Sequence, residues 1–287
     1  MDSKYNIAIT ADSTCDLPKN IIEENEITII PLSILLGEKV YTDGVDIRPE
    51  DIYKYADETG ELPKTSAVTP ATYYNVFENL VQQGKKVVHI GFSSGLSSSF
   101  QNAVTASQGF DDVYCVDSKN LCTAMGLLVL KACDYRAKGM DAKRIADKIN
   151  KLVPKVSATF VLDNLEYLHK GGRCSAVTKF GANILGIRPS IAVDTADGTL
   201  NVAKKYRGKS EIVYKQYIND RVSEIKRIQP DRVVIANSGG ISPETLAFAK
   251  GVIEGKDKFD NIIFADAGCT ISSHCGPKTL AIFYIKK

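Results

Sequence analysis

The sequence lacks several features that mark common classes of protein. It contains no tryptophan, and its 36 Lys and Arg residues against 34 Asp and Glu give a net charge of +2. No basic block stands out, so the sequence offers no case for nucleic-acid binding. None of the seven cysteines forms a Cys-x-x-Cys pair, which argues against a zinc site or a thioredoxin-like redox centre. The carboxylates are dispersed and show no metal-ligand pattern.

Long apolar runs are missing as well. The longest, residues 121–132, includes Thr123 and Lys131 and is too short to span a bilayer. The first residues lead directly into a strand pattern with no visible signal peptide. We therefore expect a soluble, cytoplasmic protein without an integral membrane segment. Most cysteines should be buried, while Cys15 and Cys275 lie in polar turns where a thiol is accessible to solvent.

The usual signatures of nucleotide binding and of serine hydrolysis are also absent. There is no Gly-x-Gly-x-x-Gly fingerprint and no Gly-x-x-x-x-Gly-Lys-Ser/Thr loop, which disfavours a nucleotide ligand. The Gly-x-Ser-x-Gly nucleophile elbow is missing too. The chain shows no arrangement that identifies a catalytic residue.

Strand and helix patterns predict an α/β protein of two domains. In the first half they alternate, which is typical of a doubly wound, mostly parallel sheet. After Pro154 the pattern changes, and Asp197-Gly198 is a strong hairpin signal. A long helix is predicted over residues 210–228. We predict an N-terminal α/β domain over residues 1–157 and a C-terminal α+β domain with a mixed or antiparallel sheet over residues 158–287.

Three segments rich in small hydroxyl side chains are the main functional signal: residues 64–70, 93–99 and 272–277. The second follows the predicted strand 87–92 and precedes the predicted helix 100–107. Free backbone N–H groups and the positive end of a helix dipole suit an anion at such a point, and ligands of open α/β sheets bind at the carboxyl ends of strands. The third segment is predicted to be a turn.

The candidate ligand-binding side chains are Thr65, Ser66, Ser93, Ser94 and His274. Thr69 and Pro70 are already explained as the cap and first residue of a helix. The same serines allow two other hypotheses. One is a serine hydrolase acting on small esters through Ser93 or Ser94 with His274, and the other is a phosphosugar-binding regulatory domain.

Five motifs in this order resemble those of the DegV family: residues 12–17, 64–66, 93–97, 165–173 and 274–277. The resemblance covers essentially the whole chain. It implies a two-domain α/β protein that buries one long-chain fatty acid in a tunnel between its domains, with no other cofactor and no catalytic residue. Members from firmicutes, called FakB, present the fatty acid to a separate kinase subunit that phosphorylates its carboxyl group.

The resemblance also implies roles for individual residues. Thr65, Ser66, Ser93 and Ser94 would hold the carboxylate, with His274 nearby. The face that meets the kinase would include Arg173, Arg207 and Lys209. The chain departs from the family at Lys278, where a glycine is usual, and at Arg188-Pro189, where Lys-Pro is usual. Without the resemblance, the basic clusters at residues 170–173 and 204–209 are most simply solvated surface, or a docking surface for an acidic partner.

Overall fold

The computed structural model describes residues 5–174, 186–223 and 227–287. Its strands are β1 (Ile7–Asp12), β2 (Ile27–Ile30), β3 (Ser33–Leu36), β4 (Lys39–Thr42), β5 (Lys64–Ser66), β6 (Lys86–Gly91), β7 (Val113–Asp117), β8 (Val156–Val161), β9 (Ile187–Val193), β10 (Leu200–Arg207), β11 (Ile228–Asn237), β12 (Asn261–Asp266) and β13 (Leu280–Lys286). Its helices are α1 (Lys19–Glu24), α2 (Pro49–Thr59), α3 (Pro70–Gln82), α4 (Ser99–Ser107), α5 (Cys122–Ala137), α6 (Ala142–Leu152), α7 (Glu166–Lys170), α8 (Ser210–Ser223), α9 (Pro243–Glu254) and α10 (Cys269–Cys275).

A parallel sheet in the order β2-β1-β6-β7 forms the N-terminal half. The chain leaves β1 toward β2 on one side and returns to β6 on the other. The carboxyl ends of β1 and β6 therefore flank the point where the strand order reverses, which is where open α/β sheets bind ligands. The buried helix α5 packs against this sheet and also against β11 and β13 of the second half.

The C-terminal half is built on a mixed sheet in the order β10-β9-β8-β13-β11-β12, in which β11 and β12 are parallel and the other pairs antiparallel. Side chains alternate between its two faces. Phe160, Ala281 and Phe283 belong to the core shared with the N-terminal half. Ile282 and Tyr284 face the other way, into a separate core with residues of α8 and α9. The inner face of this sheet thus forms one wall between the halves.

A third, small antiparallel sheet, β4-β3-β5, places the first hydroxyl segment. Ser66 pairs with Ser33 and Thr65 with Ile34. A small core of Ile34, Ile47, Ile52 and Cys269 ties this sheet to α10. Strand β5 was not predicted, because its three largely polar residues carry no alternating pattern.

The predicted fold class is confirmed: an α/β protein with a parallel N-terminal sheet and a mixed C-terminal sheet. The division at residues 157 and 158 stays a prediction; β8, which begins at Val156, belongs to the mixed sheet. The predicted helix 210–228 was too long, because Ile228 pairs with Lys286 in a long-range strand contact; the described part of α8 is Ser210–Ser223. Residues 224–226 of that prediction lie outside the described residues.

Two expectations about the last motif and the cysteines were wrong. Residues 272–277 are not simply a turn, since α10 runs to Cys275. Its serine hydroxyls donate to backbone carbonyls four or five residues earlier in the chain, Ser272 to Ala267 at 3.2 Å and Ser273 to Cys269 at 2.7 Å, so these polar side chains are satisfied although they are buried. Cys15 and Cys275 are both buried, and burial raises the pKa of each thiol to about 12.

Candidate functional site

A cavity of about 330 Å³ lies between the halves, at the lower end of the range for sites that bind small molecules. Its apolar lining comes from both halves and includes Phe92, Leu96, Leu121, Phe160, Leu200 and Phe283. Its polar lining includes Thr65, Ser66, Ser97, Ser98, Asn237, Ser238, Thr270, His274 and Thr279, together with Arg173. An apolar wall with a limited set of hydroxyl and amide groups suits a ligand with a long apolar part and a small polar one.

Thr65 and His274 form the central polar pair of this lining. The Oγ1 atom of Thr65, on β5, lies 2.8 Å from Nε2 of His274, on α10. Burial, and then the charge of Arg173, lower the pKa of His274 to about 4, so the ring is neutral at pH 7. In the tautomer with its proton on Nε2, the ring donates to Thr65 and leaves the threonine proton free to donate into the cavity. Nδ1 of His274 is buried without a hydrogen-bond partner.

Ser97 and Ser98 are the cavity-lining members of the second hydroxyl segment. They directly precede α4, which begins at Ser99. Ser97 Oγ accepts a hydrogen bond from the Ser99 backbone N–H at 3.1 Å and lies 3.0 Å from Ser99 Oγ. These two serines therefore occupy the start of the helix, where unpaired N–H groups favour an anion. Ser93 and Ser94 were predicted to have this role.

The structure does not place Ser93 or Ser94 on the cavity wall. Ser93 is fully buried and its Oγ donates to the carbonyl of Gly198 at 2.8 Å. Ser94 Oγ accepts from Lys119 Nζ at 2.8 Å. A Cβ on Gly95 would lie 2.6 Å from the carbonyl oxygen of Asp197. This turn is thus packed against the hairpin between β9 and β10, and its hydroxyls already have partners.

Ser66 and Arg173, in contrast, are lining residues as well as sequence candidates. Arg173 Nη1 donates to the Gly171 carbonyl at 2.7 Å. Arg207, at the end of β10, and Lys209, just before α8, are exposed. The structure therefore brings Thr65, Ser66, His274 and Arg173 to one cavity and leaves the other two cations on the surface.

The two positions that depart from the family pattern lie outside the cavity lining. Lys278 is exposed with a positive φ of 60°, and its carbonyl accepts from the Tyr214 hydroxyl at 2.7 Å. Arg188 Nε donates to Asp163 at 2.8 Å, and Nη1 donates to the Gly208 carbonyl at 2.6 Å. Neither side chain takes part in the Thr65 and His274 pair.

The geometry does not assemble the triad of a serine hydrolase. Ser93 and Ser94 have other partners, as described, and His274 is hydrogen-bonded to Thr65. Because Nδ1 of His274 has no partner, no carboxylate in the described part of the chain orients the ring as a catalytic base requires. Within the described residues, no three His, Cys, Asp or Glu side chains lie close enough to hold a metal ion. Over the same residues, the helices are too short or too polar to cross a membrane.

Asp12 is a buried residue beside the site that sequence reasoning missed. Its carboxylate accepts from the Tyr73 hydroxyl at 2.5 Å and from the Phe92 backbone N–H at 2.7 Å. Burial raises the pKa of Asp12 to about 6, although both hydrogen bonds act to lower it. Asp12 ends β1, so the bond from Phe92, a cavity-lining residue, joins the carboxyl ends of β1 and β6, and the bond from Tyr73 joins β1 to α3.

Comparison with known proteins agrees with this architecture. Residues 6–287 match the profile of a family described as "Uncharacterised protein, DegV family". A DegV domain-containing protein of Clostridium acetobutylicum is 33% identical over 285 residues, which cover 98% of this chain and 99% of that protein. A DegV family protein from Thermus thermophilus, 23% identical, has the same fold, with a TM-score of 0.89 over 98% of this chain and 99% of its own.

Two further solved structures are of proteins more than 25% identical in sequence to this chain. A stearic acid-binding protein from Eubacterium ventriosum is 27% identical with a TM-score of 0.82, and the match covers 98% of each chain. DegV of Bacillus subtilis, described as a fatty acid binding protein, is 26% identical with a TM-score of 0.81 over 99% of this chain and 100% of its own. The match in sequence and in fold extends over nearly the whole length, and the chain belongs to the DegV family.

Proposed function

We propose that this protein binds one long-chain fatty acid in the cavity between its halves and presents the carboxylate to a separate fatty acid kinase subunit. The protein itself would carry out no chemistry. The observation that carries this proposal is the cavity, with its apolar lining and its hydroxyl and imidazole groups. The relatives from E. ventriosum and B. subtilis, described as binding stearic acid and fatty acid, support a fatty acid as the ligand.

Burial of the acyl chain accounts for the affinity. Each buried CH₂ group contributes about 0.8 kcal/mol, so the roughly fourteen methylenes of a sixteen-carbon acid contribute on the order of 11 kcal/mol before the cost of ordering the chain. The walls available for this burial include Phe160, Ala281 and Phe283 on the inner face of the mixed sheet. Polar groups are then needed only to satisfy the carboxylate.

The proposed carboxylate site consists of Thr65, Ser66 and His274, with Ser97 and Ser98 in place of Ser93 and Ser94. The hydroxyl groups are neutral donors to the carboxylate, and the His274 ring, which is uncharged at pH 7, donates to Thr65 rather than to the ligand. Each hydrogen bond to a charged group is worth about 1.5–3 kcal/mol. A carboxylate held in this way keeps its negative charge and remains a nucleophile for a phosphoryl donor, which would be ATP with Mg²⁺ on the kinase in the cytoplasm.

The proposed kinase-docking face consists of Arg173, Arg207 and Lys209. Arg207 and Lys209 are exposed, and Arg173 reaches both the surface and the cavity lining. Cations in these positions would steer an acidic partner toward the head group and set the association rate more than the affinity.

Native mass spectrometry of the protein purified from a bacterial host tests the binding step. We expect a bound mass equal to one long-chain fatty acid. Ala281→Leu, which places three extra carbons in the cavity, should shift the bound species to shorter chains, whereas Ala71→Leu on the exposed start of α3 should not. Protein that emerges without any lipid, and gains none when incubated with palmitate, would refute the proposal.

Reconstitution with a fatty acid kinase subunit and ATP tests the presentation step. The wild type should support acyl phosphate formation. A variant with Arg207→Glu and Lys209→Glu, both outside the cavity lining, should retain bound fatty acid but slow the reaction, most strongly at low salt. Lys148→Glu combined with Lys151→Glu, both exposed on α6, is the charge-matched control. Equal rates for all three proteins would contradict the assigned docking face.

A further inference from the structure

A buried carboxylate outside the cavity lining holds the helix that carries His274. Asp43 follows β4 and is only 3% exposed. We propose that Asp43 is a positioning residue for the head-group site, because its carboxylate fixes the start of α10 and so keeps His274 within hydrogen-bonding distance of Thr65. The ligand-binding part of the test rests on the proposed function.

The contacts of Asp43 replace a helix cap that α10 lacks in its own sequence. Gly268 occupies the N-cap position and has no side chain to offer. Asp43 Oδ1 instead accepts from the Cys269 backbone N–H at 2.9 Å, and Oδ2 accepts from Thr270 Oγ1 at 2.7 Å. Oδ2 also accepts from Ser13 Oγ at 2.8 Å. A carboxylate at this end of a helix satisfies free N–H groups and is favoured by the dipole.

The helix transmits this restraint to the cavity. Thr270 and His274 are four residues apart, so they lie on one face of α10, and both line the cavity. The 2.8 Å contact between His274 Nε2 and Thr65 Oγ1 joins α10 to β5. Because α10 has only seven residues, a shift at its first turn moves His274 directly.

A second buried acid, Asp16, makes the restraint sensitive to pH. A Cβ on Gly268 would lie 2.6 Å from Asp16 Oδ1 and 3.5 Å from Asp43 Oδ1, so the two carboxyl groups flank the same glycine. Burial, and then the charge of Asp43, raise the pKa of Asp16 to about 8. The Cys122 thiol and the Gly268 backbone N–H interact with the Asp16 carboxyl and act to lower its pKa. A protonated Asp16 leaves Asp43 undisturbed, whereas an ionised one repels it.

The other titratable groups around Asp16 are thiols, and these stay protonated in the same pH range. Burial raises the pKa of Cys15 and Cys275 to about 12 and raises those of Cys122 and Cys269 as well. Ionisation near pH 8 is therefore assigned to Asp16. The fatty acid, whose carboxyl group resembles that of Glu with a pKa of about 4.3, is ionised throughout.

The test measures palmitate affinity from pH 6.5 to 9.5 for the wild type, Asp43→Ala, Asp43→Asn and Asp16→Asn, with exposed Asp111→Asn as control. At pH 7 we expect Asp43→Ala to weaken palmitate binding about tenfold, in line with the loss of a helix cap. Asp43→Asn, which keeps one acceptor oxygen and the shape, should recover most of the affinity. Methyl palmitate, which has no charged head group, should bind every variant nearly equally.

The pH profile separates positioning from a general loss of structure. Wild-type affinity for palmitate should fall above pH 8, and Asp16→Asn should remove this fall. Asp111→Asn should follow the wild type. Equal palmitate affinity in folded Asp43→Ala, or an unchanged alkaline fall in Asp16→Asn, would overturn the inference.

A measurement on the ligand-free protein keeps this result distinct from failure of the proposed function. Imidazole NMR signals of His274 should shift in Asp43→Ala, while those of His89, which is buried beside Thr10, should not. If the wild type bound no palmitate but His274 still shifted, the proposed function would fail and the positioning role would stand. Unchanged His274 signals would refute the positioning role whatever the ligand.

Discussion

Replacing Asp16 by Asn should stabilise the protein at neutral pH. In the wild type the buried carboxyl group has to keep its proton in the folded state, although it is ionised in the unfolded chain, and this costs stability. The folded pKa is about 8, against 3.8 for the unperturbed group. Asp16 has a positive φ of 46°, a region of the backbone in which Asn is as well tolerated as Asp. The substitution therefore removes the titration without adding backbone strain.

The sign and size follow from the proton balance. Below pH 3.8 both folded and unfolded chains hold the proton, and Asp16 costs nothing. Between pH 3.8 and 8 the unfolded chain is ionised while the folded chain is not, so stability falls as pH rises. Each pH unit costs about 1.36 kcal/mol. From pH 4 to pH 7 the advantage of Asp16→Asn over the wild type should therefore grow by about 4 kcal/mol.

Urea unfolding of both proteins at pH 4, 5.5, 7 and 9 measures this difference. Any constant effect of the buried amide appears at pH 4 and cancels from the comparison. The difference should level off above pH 8, where both chains are ionised. Asp111→Asn, at an exposed position, should change stability by less than about 0.5 kcal/mol at every pH. A difference between Asp16→Asn and the wild type that does not vary with pH would refute the assignment of a protonated Asp16.

Three further substitutions test other parts of the structure. Thr65→Val should weaken palmitate binding roughly 10- to 150-fold by removing one hydrogen bond to a charged group, while the exposed Thr105→Val should not. Equal palmitate affinities of the two variants in calorimetry would show that Thr65 does not bind the carboxylate. Tyr73→Phe removes the 2.5 Å hydrogen bond to Asp12 and should cost about 1–3 kcal/mol. Because the pKa of Asp12 is raised from 3.8 to about 6 in the folded protein, stability falls as the pH rises between these two values. The Tyr73 bond lowers this pKa, so in Tyr73→Phe the fall in stability should continue to a higher pH. Gly95→Ala should destabilise the protein by about 1–3 kcal/mol, because its Cβ would lie 2.6 Å from the Asp197 carbonyl oxygen. Gly251→Ala, at a helical position with open space around it, should instead stabilise the protein by about 0.5–1 kcal/mol. Thermal unfolding of the two variants measures both effects.

The features that sequence reasoning predicted correctly are those encoded by local patterns. Thr69 caps α3 by accepting from the Thr72 N–H, with Pro70 as its first residue, as the sequence indicated. Alternation of strands and helices was sufficient to predict the parallel sheet, and Asp197-Gly198 does lie between β9 and β10. In each case the deciding interaction lies within a few residues.

The errors arose where contacts between distant residues decide the structure. The sequence does not reveal that Ser93 donates to the carbonyl of Gly198, 105 residues away, and so it does not distinguish Ser93 and Ser94 from the cavity-lining Ser97 and Ser98. Which of these serines hold a carboxylate stays a prediction. One local signal was available: a helix that begins at Ser99 offers its free N–H groups to the residues just before it. The burial of Asp16 and Asp43 had no local signal, because both lie in polar turn sequences.

The candidate head-group site is composed of elements that are far apart in the sequence. Thr65 comes from β5, Ser97 from the start of α4 and His274 from α10. None of these segments alone can surround a carboxylate, so the donors converge only when the two halves are packed together. The turn at Ser93 contributes to that packing, since its hydroxyl and the close approach at Gly95 bind it to the β9–β10 hairpin. The serine-rich motif therefore combines two roles, with Ser93 to Gly95 joining the halves and Ser97 and Ser98 lining the cavity that results.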